Sequence, residues 1–140
     1  MYLDVYIASP DVPSFSWEQS DNPYGQKIIG DKVPKSREAF FLLKEKLDKG
    51  IYPYVMTDWA TWVARVSKQQ VIEFFKQLYG ANFMHPEHGP IAKWKLKLKE
   101  RPDQFERNSL KVDIESMSEL LKTIQDLDDE KDYALVAQEF

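Results

Sequence analysis

Both ends of this chain read as β-strands, and that constrains the fold more than any other feature. At the start, Leu3, Val5 and Ile7 point one way and Tyr2, Asp4 and Tyr6 the other. At the end, Tyr133–Phe140 is a second strand-like run. Period-two spacing rich in β-branched and aromatic residues is the pattern of a half-buried strand. Two terminal strands are best satisfied in one sheet, side by side, so each end of the chain is expected to be anchored rather than frayed.

Helical patterns lie between them. Phe40, Leu43 and Leu47, with Phe41 beside them, form an apolar stripe after Ser36, which is expected to cap the first turn. Gly50 stands where a helix commonly closes in a left-handed residue. Ser67 and Gln70 form a capping box, followed by Val71, Phe74, Phe75 and Leu78 at helical spacing and a stop at Gly80. The stretch before that box, residues 53–66, fits either period; extended structure up to Val66 is expected because a helix starts so clearly at Ser67.

The second half is read in the same way. Trp94, Leu96 and Leu98 alternate with Lys93, Lys95, Lys97 and Lys99, which predicts a strand over 92–99 ended by Pro102. Leu110, Val112 and Ile114 predict another short strand. Ser116 and Glu119 then resemble a second capping box, opening a helix through Met117, Leu120, Leu121, Ile124 and Leu127. Residues 9–35 show no period and are punctuated by prolines and glycines.

The expected architecture is therefore α+β: one domain over residues 1–140, with a mixed or mainly antiparallel sheet and about three helices packed on it. At 140 residues and 43% hydrophobic content, the chain has material for one core.

Composition removes several functions. With no cysteine, disulfides, thiolate nucleophiles and cysteine-ligated zinc are excluded. The N-terminus does not read as a signal peptide, and no apolar run approaches the roughly 18 residues of a membrane span. A cytoplasmic protein without membrane attachment is expected. No two glycines are placed for a phosphate-cradling loop, and no GxSxG elbow is present. No cofactor is implied.

Four constellations could carry function. The loop at 81–90 holds both histidines, His85 and His88, around Glu87. Imidazoles are common metal ligands, but Pro86 opposes a shared helical face, and a third ligand such as Asp58 or Asp103 would have to come from elsewhere. The Lys93, Lys95, Lys97 and Lys99 stripe could follow a phosphate backbone, with Trp94 or Tyr79 stacking on bases. The same lysines could instead protect an exposed strand, and a net charge of −4 makes nucleic acid the less favoured partner. The acidic run Asp126–Asp132 lacks the spacing of a calcium loop and reads as a solvated turn.

The fourth constellation is aromatic. Phe15, Trp17 and Tyr24 fall in the long 9–35 segment, while Trp59 and Trp62 read as core. Tryptophan and tyrosine are enriched where proteins bind proteins. A small, acidic, aromatic-rich and cysteine-free chain is similar in composition to immunity, antitoxin-like and adaptor proteins. The expected function is thus a protein-interaction or regulatory module rather than an enzyme, with Phe15, Trp17 and Tyr24 contacting a protein partner. The alternatives are a small enzyme using the His85–His88 loop and nucleic-acid binding through the lysine stripe.

Overall fold

The computed structural model describes residues 2–10, 26–58 and 60–139. Along the chain run β1 (Leu3–Pro10), β2 (Gln26–Ile28), α1 (Ser36–Asp48), β3 (Tyr54–Asp58), β4 (Thr61–Ser67), α2 (Lys68–Tyr79), α3 (Pro90–Lys99), α4 (Gln104–Gln125) and β5 (Asp132–Glu139). The strands form one sheet in the order β2-β1-β5-β4-β3, and every pairing is antiparallel. The fold is α+β, as the alternating and helical patterns predict.

The two terminal strands are neighbours. Val5 pairs with Ala137 and Ile7 with Leu135, while β4 pairs on the other side of β5 through Ala64 with Leu135 and Val66 with Tyr133. Cross-strand partners share a face. Leu3, Val5, Ile7, Ala64, Val66, Tyr133, Leu135 and Ala137 therefore share the face that meets the helices, in one core with Phe40, Leu43, Phe74, Phe75, Met117 and Ile124. The opposite face carries a smaller buried cluster of Ala8, Val63, Ala134 and Val136. Burial on both faces explains why β5 reads as a nearly continuous apolar run.

Local chemistry sets several boundaries. At Ser67 the capping box forms: the hydroxyl accepts from the Gln70 amide at 3.2 Å, and the Gln70 side chain accepts from the Ser67 amide at 2.9 Å. Replacing Ser67 with Ala leaves the Gln70 amide short of its acceptor and is expected to cost about 1 kcal/mol. Urea unfolding of Ser67→Ala checks this, and an unchanged midpoint would contradict it. At the end of α1, Gly50 has φ of 71°. Its amide bonds to Leu47, and the Ile51 amide to Lys46, the paired closure that a left-handed residue permits.

Four readings from the pattern are corrected. Ser36 is the first residue of α1 rather than its cap; the cap position is Lys35, in a left-handed conformation and with no side-chain hydrogen bond. Residues 92–99 are helical. Gly89–Pro90 starts that helix, with proline in the first turn where its missing N–H is harmless. Ile91, Trp94 and Leu98 turn inward, and Leu96, which a strand would have buried with Trp94, is 61% exposed. The segment contains no β-branched residue after Ile91, and lysine and leucine both favour helix. Residues 110–114 belong to the long helix α4, capped by Asp103, whose carboxylate accepts from the Glu106 amide at 2.8 Å. Ser116 lies inside that helix and caps nothing. The helices number four among the described residues, because two expected strands became one helix and part of another. None is long and apolar enough to cross a membrane.

Candidate interaction surface

The histidine loop is a built turn. His85 Nδ1 accepts from the backbone amides of Glu87 at 3.1 Å and His88 at 3.2 Å. The two imidazole rings lie 4.5 Å apart, centre to centre. His85 thus caps its own turn, as a short polar side chain would. Its other expected ligands do not join it: Asp103 caps α4, and no cluster of three or more metal-ligating side chains occurs among the described residues. The side chain of Asp58 lies outside those described. Gly89 closes the turn, its amide bonding to the His85 carbonyl at 2.9 Å. A Cβ there would sit 2.6 Å from that carbonyl oxygen and 2.9 Å from those of Asn82 and Phe83. Because all three obstacles are backbone, Gly89→Ala must shift the loop. A loss of about 1–3 kcal/mol is expected, read as a lowered urea midpoint; a loss under about 0.5 kcal/mol would mean the turn is looser than described.

The lysine ladder does not form on one face. In a helix successive residues turn by 100°, so Lys93 and Lys97 lie on one flank of α3 and Lys95 and Lys99 on the other, with Leu96 between. None of the four has a carboxylate within 4.0 Å among the described residues. The aromatic groups expected to stack on bases are committed inward. Trp94 is buried, and Tyr79 lies parallel to Phe75 and donates its hydroxyl to the Pro34 carbonyl. Burial, reinforced by Asp113 and Glu38, pushes the Tyr79 hydroxyl far above its ordinary pKa, so it holds its proton.

The sequence reading missed a third surface, at the β3 edge of the sheet. No strand pairs with the outer side of β3 among the described residues. On the helix-facing side, Tyr54 and Met56 remain 42% and 50% exposed, and Phe41 on α1 is 51% exposed. Met56 is related to Phe41 through two intervening side chains. Met56 is the cross-strand partner of Trp62. Trp62 meets Phe40 edge-on at 5.7 Å, and Phe40 meets Phe41 at the same distance. An open groove of about 430 Å³ lies beside Phe40 and Phe41, bounded by Lys44 and Asp48.

Charge frames this apolar strip. The Lys44 ammonium sits 4.1 Å over the Trp62 ring, and the Arg37 guanidinium 5.3 Å over Phe41. Such placements are attractive because the ring face is negative. Glu45 is held below the usual carboxylate range by its hydrogen bond to Lys49, at 2.7 Å. Lys44 lies 4.0 Å from Asp48. Arg37 has no carboxylate partner among the described residues.

No protein-family model, curated protein or solved structure matches the chain. Function must therefore be argued from these surfaces. Phe15, Trp17, Tyr24 and Trp59 lie outside the described residues. Trp62, expected in the core, is packed against it but only partly buried. A larger open cleft of about 660 Å³ lies between Ile28 and Asp31 on one side and Glu119, Lys122 and Asp126 on the other. Its lining is polar and acidic on balance, without a constellation that specifies a ligand.

Proposed function

We propose that this chain is a protein-interaction module whose partner surface is the α1–β3 edge. The observation that carries the reading is that Tyr54 and Met56, on the outermost described strand, and Phe41 on α1 are large apolar side chains left about half exposed. Edge strands of isolated proteins are commonly blunted by lysine, inward charge, proline, shortness or a bulge. β3 has no lysine or proline over Tyr54–Thr57, while Pro53 just before it, its five-residue length and the register shift between Met56 and Asp58 confine the open edge to a short stretch. Full burial of an aromatic or methionine side chain contributes about 1.5–3 kcal/mol, and these three are about half exposed, so covering them adds roughly 2–4 kcal/mol and further contacts must supply the rest of the cost of association. The rings and thioether also resemble the residue types that dominate protein interfaces.

Phe15, Trp17 and Tyr24 remain proposed partner contacts on the strength of their residue type alone. The enzyme reading has less support, since His85 uses its Nδ1 within its own turn and Tyr79 is a fixed donor. Nucleic-acid binding loses its aromatic platform and its one-sided ladder, and the net charge of −4 works against it.

Site-specific photocrosslinking tests the reading. A benzophenone side chain is introduced at position 41 or, as control, at position 119 on the opposite cleft, in cells that make the protein. Crosslinking to a discrete protein from position 41 only, lost when Met56→Lys is added, is the expected result. Equal labelling from both positions, or none from position 41, would remove the edge as the partner surface.

A further inference from the structure

A second surface is marked by charge that the chain does not satisfy on itself. Independently of the α1–β3 edge, we propose that the exposed face of α3 docks on a second copy of this chain, in the acidic cleft between β2 and the end of α4.

The face follows from helical geometry. Ile91, Trp94 and Leu98 turn α3 inward. Leu96 is left on the outward crest, with Lys93 and Lys99 about 60° to either side of it and Lys97 and Lys95 about 100°. Exposed Leu96 is thus flanked by two pairs of ammonium groups. None of the four has a carboxylate within 4.0 Å among the described residues. Residues 91–101 carry five basic groups and one acidic group, although the net charge of the chain is −4. Such a ridge fits a concave surface that offers carboxylates together with apolar side chains. A nucleic-acid backbone supplies the charge but leaves Leu96 in water.

The chain has that surface elsewhere. The open cleft of about 660 Å³ is lined by Asp31, Glu119 and Asp126 against a single cation, Lys122, and also by Ile28 and Ile29. Ile28 is exposed. None of the three carboxylates is in an ion pair among the described residues. Residues 128–130, all acidic, follow close behind Asp126 and keep the surroundings negative. No small ligand is specified there, but ridge and cleft are complementary in sign and in form, and each lacks its counterpart within one chain. A contact between two different patches is heterologous, so it joins copies head to tail, or in a ring where the rotation closes. Exposed ion pairs are individually weak and are screened by salt, so this association is weak and sensitive to ionic strength.

The test is sedimentation of the full chain from about 10 μM to about 1 mM, in about 20 mM and about 500 mM salt. Two double variants each reverse one side. Lys93→Glu with Lys95→Glu changes both flanks of the ridge, and Glu119→Lys with Asp126→Lys changes the cleft; all four positions are exposed. Lys46→Glu with Lys76→Glu, on α1 and α2, makes the same change of net charge as the ridge variant. Melting temperatures verify that the variants fold. The expected result is self-association of the parent chain at low salt, weakened at least about tenfold at high salt. It is lost in the ridge and cleft variants and kept in the α1–α2 control. Mixing the ridge variant with the cleft variant restores a one-to-one complex, because the intact cleft of one meets the intact ridge of the other. Self-association that persists in either variant, equal loss in the control, or none in the parent at the highest concentration and low salt would overturn the contact. Retention of the parent on single-stranded DNA, lost in the ridge variant and without self-association, would assign the ridge to nucleic acid instead. The crosslinking control at position 119 replaces one of the cleft carboxylates and so weakens this contact, and any doubled-mass product from it is read as a second copy, separately from the α1–β3 edge.

Discussion

A chain ending before Asp132 does not fold. β5 is the central strand, paired with β1 along Leu3–Ala8 and with β4 along Thr61–Ser67. Removing it separates β2-β1 from β4-β3 and leaves the helices facing a split sheet. It also deletes the buried side chains Tyr133, Ala134, Leu135, Val136 and Ala137. Tyr133, Leu135 and Val136 alone represent roughly 5–9 kcal/mol of burial. That is comparable to the entire stability of an ordinary domain, about 5–15 kcal/mol. The truncated chain is expected to lack a cooperative thermal transition and amide shift dispersion. A truncated chain that still melted cooperatively would show that β5 is dispensable and the sheet order wrong.

Phe75→Ala is expected to destabilise the protein by about 3–5 kcal/mol, the range for emptying a buried aromatic site. Phe75 is fully buried and joins two ring contacts: edge-on to Phe74 at 5.1 Å and parallel to Tyr79 at 5.9 Å. Tyr79 in turn touches Phe83, the anchor of the turn that carries the histidines. The cavity would therefore loosen α2 and the His85–Gly89 turn together. Phe75→Leu keeps most of the volume and should cost about 1.5 kcal/mol or less. Urea unfolding with unchanged slope reads both values. A Phe75→Ala loss near 1 kcal/mol would mean that the ring stack is not the centre of this layer.

Physical reasons separate the legible half of this fold from the rest. The segments read correctly carry their own punctuation. Ser67 and Gln70 satisfy two amides of α2 between themselves, and Gly50 closes α1 through bonds to residues three and five positions back. The terminal strands announce themselves by alternation, and β5 by a run of apolar residues that only a doubly covered strand needs. Such signals are local, so the chain states them in full.

The misread segments carry two periods at once. The apolar residues of α3 alternate at Trp94, Leu96 and Leu98, yet a helix uses only Ile91, Trp94 and Leu98 and leaves Leu96 in solvent. Leu110, Val112 and Ile114 alternate as well, and within α4 Leu110 is buried while Val112 is exposed. Packing of α3 against α4 breaks the tie, because each supplies the other with an apolar stripe that neither flank of a strand could match.

The candidate surface was the least legible part. Phe41, Tyr54 and Met56 have the composition of core residues, and nothing near them in the chain marks them as exposed. Their exposure follows from strand order: β5, last in the sequence, takes the middle of the sheet, and β3 is left at the rim with no described neighbour beyond it. Local periodicity and capping are written in neighbouring residues and can be read from them. Which strand lies at an edge depends on pairings between residues far apart in the chain, and those are decided only when the whole core is assembled.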